Sequence, residues 1–171
     1  SPGQTSTANV TAKALTAIAS TANKVYDSTT LANTTLTLSG LIGSETLNVT
    51  ANSTFDNKNI GSGKTVTVNS ITLADGTNGG LAANYSIATS QTTTATVTAK
   101  TLIVSGITAS NKSYDTTTSV SLNTSSLLYN GLVAGDSFSG SFTSSFSDAD
   151  VGTGKLISLT STYSGDDVSN Y

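Results

Sequence analysis

Lys24, Tyr26 and Asp27 fall within four consecutive positions, and the same trio returns as Lys112, Tyr114 and Asp115. An ammonium, a phenol and a carboxylate this close could exchange a proton, because each neighbouring charge tunes the others. The same residues also suit a turn. In Asp27-Ser28-Thr29-Thr30 and Asp115-Thr116-Thr117-Thr118 the Asp carboxylate can accept backbone N–H bonds, while the Tyr ring packs at a sheet margin. One such block per repeat is what a scaffold needs, so a structural role is the expectation.

A second block, Gly61-Ser62-Gly63-Lys64, answers to Gly152-Thr153-Gly154-Lys155 and has the look of a shortened phosphate loop. A true phosphate loop is longer, opens a helix and carries Ser or Thr after the Lys. Thr65 follows Lys64, but Leu156 follows Lys155, and alternating strand-like runs come next in both copies. The glycine pair therefore reads as a turn or bulge that re-aims the chain. Oxygen-rich clusters occur at Asp148-Ala149-Asp150, at Asp166-Asp167 and over residues 75–80. Calcium takes six to eight oxygen ligands, which makes Asp148, Asp150, Asp166 and Asp167 its candidate ligands. Neither Asp pair is copied between the repeats and none matches an EF-hand loop, so solvated loops are expected. A Lys24 or Lys112 isopeptide to Asn84 or Asn170, assisted by Asp27 or Asp115, is a further chemical option. It requires burial to lower the Lys pKa and raise that of the acid. An intact mass lacking the loss of ammonia or water would rule it out.

Composition narrows the chemistry further. The 171 residues include no Cys, His, Trp or Met, and all seven basic residues are Lys. Ser-His, Cys-His and Cys-x-x-Cys sites cannot be built, and a zinc site would need carboxylates alone. No cofactor and no enzymatic activity are expected. Only 10% of residues are charged, with a net charge of −3 and no basic cluster, so nucleic acid is not an expected partner. No apolar run reaches the roughly 18–20 residues of a membrane span, and residues 1–13 lack the pattern of a signal peptide.

These blocks belong to a repeat. Asn23-Lys24-Val25-Tyr26-Asp27 recurs as Asn111-Lys112-Ser113-Tyr114-Asp115, Gly40-Leu41 as Gly131-Leu132, and Asn84-Tyr85 as Asn170-Tyr171. Phe55 and Phe146 stand at equal distances before the two Gly-x-Gly-Lys blocks. The order is kept throughout. Gln4–Lys13 further matches Gln91–Lys100, so residues 1–13 read as the last strand of a preceding repeat. Residues 14–100 form a first repeat, and residues 101–171 a second that lacks its last strand.

The elements that must position these residues are strands. Thr, Ser, Asn, Val and Gly disfavour helix interiors. Period-2 alternation is clear in Leu36-Thr37-Leu38, Leu47-Asn48-Val49, Val66 to Ile71 and Ile157-Ser158-Leu159. Phe138, Phe142 and Phe146 alternate as core residues do. Gly- and Asn-rich turns separate the runs, at Asp75-Gly76, Asn78-Gly79-Gly80, Gly135-Asp136 and Ser164-Gly165-Asp166. The expected fold is all-β: two tandem small β-sandwich-like modules of six or seven strands each, in an elongated rod.

Taken together, Lys24-Val25-Tyr26-Asp27, Lys112-Ser113-Tyr114-Asp115, the Gly-Leu step, the Gly-x-Gly-Lys block and the Asn-Tyr step resemble YDG-type repeats. Such repeats occur in large secreted bacterial adhesins of the filamentous-haemagglutinin-like kind, including biofilm-matrix exoproteins. The Gly of the family's name is Ser28 in one copy and Thr116 in the other, which bears on the local turn conformation. The resemblance implies a secreted or cell-surface location and a stalk or spacer function. Neighbouring repeats or identical chains are then the expected partners. Two alternatives stand beside it: a filament subunit joined by strand complementation through Gln4–Lys13, and a glycan-binding module for extracellular polysaccharide.

Overall fold

The computed structural model describes residues 3–171 and is all-β. The strands are β1 (Lys13–Thr21), β2 (Lys24–Val25), β3 (Leu31–Ala32), β4 (Thr34–Ser39), β5 (Leu47–Phe55), β6 (Gly61–Asp75), β7 (Tyr85–Ile87) and β8 (Gln91–Thr98). They continue with β9 (Ile103–Ser105), β10 (Thr108–Ala109), β11 (Leu122–Asn123), β12 (Leu128–Asn130), β13 (Ser139–Phe146) and β14 (Ile157–Ser164). Single 3₁₀ turns occupy Ala82–Asn84 and Val168–Asn170, at matching positions of the two repeats. The chain divides into two compact units. The first comprises the described residues up to Lys24 together with Thr29–Val97. The second joins the short segment Val25–Ser28 to Thr98–Tyr171.

In the first unit β5, β6 and β8 form the middle of a five-stranded sheet ordered β2-β8-β6-β5-β3, and a three-stranded sheet is ordered β4-β1-β7. β1 runs antiparallel to β4 and parallel to β7, where Lys13 faces Tyr85 and Leu15 faces Ile87. The alternation along β6 sets the core: Lys64, Val66 and Val68 are buried while Thr65, Thr67 and Asn69 face solvent. Leu15, Leu36, Phe55, Tyr85, Ala95 and Val97 complete that core from both sheets. Thr and Asn suit the outward positions, since their side chains favour a pleated, half-solvated surface or hydrogen-bond across it.

The second unit is more sparsely paired. Its sheets are three two-stranded antiparallel pairs: β10 with β11, β12 with β9, and β13 with β14. The long hairpin β13–β14 runs in unbroken register from Ser139↔Ser164 to Phe146↔Ile157. Phe138, Phe142 and Phe146 are only half-buried. Phe138 lies 5.2 Å from Tyr129 and 5.7 Å from Tyr171, both edge-on, and 5.4 Å from Tyr163 in a tilted contact, so aromatic contacts rather than aliphatic layers fill this unit. Among the described residues, Tyr26 is its one fully buried apolar side chain, at 1% exposure. Of Gln4–Lys13, matched in sequence to the last strand of a repeat, Gln4–Ala12 carry no strand pairing and are exposed, Val10 fully so, while Lys13 opens β1.

Candidate functional site

The Lys-x-Tyr-Asp blocks are built as turns. In the first, Lys24 Nζ donates to the Thr29 carbonyl at 2.8 Å and to Thr29 Oγ1 at 3.0 Å. In the second, Lys112 Nζ donates to the Thr117 carbonyl at 2.7 Å and to Thr117 Oγ1 at 2.9 Å. Each ammonium also lies near an aromatic ring, Phe55 at 5.5 Å and Phe146 at 5.9 Å. Lys112 pairs with Asp115 at 2.6 Å, and Asp115 accepts the Thr117 N–H and hydroxyl as well. Those bonds, the one from Lys112 first, bring the Asp115 carboxyl down to about 2. Closing the loop forces a left-handed residue directly after the Asp: Ser28 has φ 65° and Thr116 φ 64°. A glycine adopts that conformation without strain, which gives a physical reason for Gly at the third position of a Tyr-Asp-Gly motif.

The Gly-x-Gly-Lys blocks are likewise loop devices. Lys64, 9% exposed, reaches Asn57 Oδ1 at 2.7 Å and Asp56 at 2.8 Å. Lys155 repeats the arrangement, bonding the Asp148 carboxylate and the Asp150 carbonyl. The ion pairs pull Asp56 and Asp148 below the usual carboxylate range. The two glycines relieve two different constraints. A Cβ on Gly61 or Gly152 would meet the Lys64 or Lys155 stem at 3.2–3.3 Å, while Gly63 and Gly154 sit at φ 60° and 63°. The β6–β8 register shifts between Gly61 and Lys64, so this is the expected bulge, not a phosphate loop.

The Asn-Tyr steps organise a third site. The Tyr85 hydroxyl accepts the Ile42 N–H at 3.1 Å and donates to Glu45. The Tyr171 hydroxyl accepts the Val133 N–H at 2.9 Å and donates to Asp136 at 2.6 Å. Burial first, and then the Asp136 carboxylate, push the Tyr171 phenol up to about 12, and Glu45 raises Tyr85 in the same direction. Glu45 and Asp136 were not singled out from the sequence. The available signal was their equal spacing, five residues after Gly40 and Gly131.

Within the second unit this site is completed by Val25–Ser28. Tyr26 stands edge-on to Tyr171 at 5.6 Å, with its hydroxyl 3.4 Å from Asp167. Ser28 Oγ donates to Asp136 at 3.0 Å, and the Tyr26 N–H donates to the Thr98 carbonyl at 2.9 Å. Asp167 also accepts the Ser137 N–H at 2.9 Å, and the Asn170 carbonyl accepts the Lys100 N–H at 2.9 Å. Both Asp167 and Asn170 are buried.

The sequence-level candidates thus separate by place. Asp148 and Asp150 come together around Lys155, Asp167 turns inward to Tyr26 and Ser137, and Asp166 is exposed. Among the described residues no three carboxylates gather where a metal ion could sit. Asn84 is exposed at the end of its 3₁₀ turn, whereas Asn170 is buried. A cleft of about 740 Å³ in the second unit is lined by Lys112, Tyr114, Phe146, Asp148, Lys155 and Ile157, among others. Its two ammonium groups are held by the turns described above, so the chemistry on display is hydrogen bonding and ion pairing that shape loops. No helix is long and apolar enough to cross a membrane among the described residues.

The YDG domain family matches the chain twice, over residues 11–95 and 98–171. No curated protein and no solved structure matches it. With nearly all of its length covered by two successive matches, the chain belongs to the YDG domain family.

Proposed function

We propose that these two repeats are a stalk or spacer of a secreted bacterial adhesin or matrix fibre, built as tandem sandwich-like modules in an elongated rod at the cell surface. The observation that carries this reading is the duplication of structural bonds. Lys24 and Lys112 hold the same turn, Lys64 and Lys155 the same bulge, and Tyr85 and Tyr171 the same backbone N–H and carboxylate. A catalyst needs one special site, whereas a spacer needs the same scaffold in every copy. Few charges, no Cys and hydroxyl-rich strands fit an exported chain that folds without redox help. Small-angle scattering tests the proposal. A compact chain of this length has a radius of gyration of about 16 Å, and two modules end to end exceed about 20 Å. A value near the compact limit would count against the spacer, and binding of the purified chain on a polysaccharide array would favour the glycan-binding alternative.

A second reading, joining of identical chains by strand complementation, is favoured by one observation. In the first unit β6 lies between β5 and β8, but among the described residues β14 pairs with β13 alone. The cleft beside β14 lies where the counterpart of β8 would run, and Leu156 and Leu159 are 82% and 48% exposed. Gln4–Thr11, which matches β8 in sequence, has the composition to fill it from another copy. Sedimentation at rising concentration decides: a chain that stays monomeric refutes the exchange.

A further inference from the structure

The second unit holds a filled docking site, and the same two repeats display both of its halves open. In the filled site Tyr26 is 1% exposed, with its ring against Tyr171 and its hydroxyl at Asp167. Tyr114, its counterpart in the second repeat, is 62% exposed. In the first unit, Leu81 and Asn84 occupy the positions of Asp167 and Asn170, and both are exposed. The second motif is nevertheless folded in the docking shape. Thr116 repeats the left-handed φ of Ser28, and Lys112 holds Thr117 as Lys24 holds Thr29. A lone exposed Tyr would need no explanation. A preformed turn that presents its ring to solvent, when a turn of the same φ and lysine bond elsewhere in the chain has its ring buried, does.

We propose that Tyr114-Asp115-Thr116 is a docking element for one further YDG repeat, which takes in the Tyr114 ring as the second unit takes in Tyr26. The chemistry of the occupant follows from the filled site. It must offer a Tyr at the position of Tyr171 for the edge-on ring contact and a carboxylate at that of Asp167 for the Tyr114 hydroxyl. It must also offer an acceptor at the position of Asp136 for the Thr116 hydroxyl, which stands where Ser28 does. A repeat of the second-unit type meets all three requirements. The first unit, with Leu81 at the Asp167 position, meets two. Each repeat would then lend its Tyr-Asp turn to the core of the next, so that stability passes along an array through nearest-neighbour contacts.

The test extends the full chain with a copy of residues 86–171 placed after Tyr171, which continues the register because Tyr85 and Tyr171 correspond. The copy carries Tyr114→Phe so that the original Tyr114 can be followed alone. A shorter extension, residues 86–100 only, adds a copy of β8 without a further unit. Hydroxyl-radical footprinting read by mass spectrometry reports ring exposure. Tyr114 should stay reactive in the 171-residue chain and in the short extension. In the long one it should fall at least about tenfold, towards the protection of Tyr26, as expected for a ring passing from exposed to buried. Equal reactivity in the two extended chains overturns the proposal, whether Tyr114 is open in both or already covered by the strand alone. An added repeat that fails to fold beside an intact Tyr114 overturns it too, because its core would then not be completed by that turn. In the long chain, Tyr114→Ala should raise amide exchange in the added repeat, and unchanged exchange there refutes the contact.

Discussion

Replacing Tyr26 by Ala should damage the second unit although residue 26 lies in the first repeat. Its ring is the one fully buried apolar side chain of that unit among the described residues, and it packs edge-on against Tyr171. Truncating a buried aromatic side chain to Ala costs about 3–5 kcal/mol, a figure that already includes the ring contact. The hydroxyl bond to Asp167 is long at 3.4 Å, so Tyr26→Phe should lose only about 0.5–1 kcal/mol. Tyr114→Ala makes the same chemical change at the equivalent site. At 62% exposure it should stay within about 0.5 kcal/mol in the 171-residue chain. Amide hydrogen exchange read by peptide mass spectrometry separates the units. For Tyr26→Ala, protection over residues 98–171 should fall by more than about 100-fold, the equivalent of about 3 kcal/mol. Protection of β5 and β6 should change far less. Two results would refute the reasoning: a loss confined to the first unit, or a Tyr114→Ala cost equal to that of Tyr26→Ala.

Thr116→Gly should stabilise the second unit by about 1 kcal/mol, because a β-branched residue is strained at φ 64°; thermal melting checks it, and a lower melting temperature contradicts the turn geometry. The Asp115 carboxyl should titrate near pH 2 by NMR, and Lys112→Met should move it back towards the ordinary range. Because that folded pKa is depressed, the associated stability is present above about pH 4 and is lost as pH falls towards 2. Tyr171 has the opposite sign. Its folded pKa of about 12 lies above the unfolded value near 10, so its contribution is complete below pH 10 and is lost as pH rises towards 12. Tyr171→Phe should flatten alkaline unfolding monitored by circular dichroism over that window.

Local chemistry was legible because it is written in neighbours. The Asp-Ser-Thr and Asp-Thr-Thr turns, the bulge at Gly61–Lys64 and the alternation along β6 depend on residues a few positions apart, and all three follow from types and spacing. Less legible were the partners of the Asn-Tyr steps. Glu45 lies 40 residues from Tyr85, and Asp136 lies 35 from Tyr171. Asp167 illustrates the limit best. In sequence it is one of two adjacent acids in a loop, equally suited to solvent or calcium, and the fold turns it inward to Ser137 and Tyr26 while Asp166 stays in water. The sequence likewise led to an even set of strands in each repeat, whereas the second unit has, among the described residues, two short pairs, one long hairpin and aromatic contacts.

By itself, then, the sequence determined that there are two copies of one β-rich pattern, where each turns, and which residues recur in both. Backbone sterics, side-chain period and turn propensity act locally, and so they act alike on both copies. Only the tertiary structure decided what the recurring Tyr does. Tyr26 and Tyr114 sit in the same motif, each ahead of a left-handed residue and a lysine-held Thr, yet one ring is buried and the other open. Burial is set by what arrives from far along the chain, and Tyr171 and Asp167 meet the ring and hydroxyl of Tyr26.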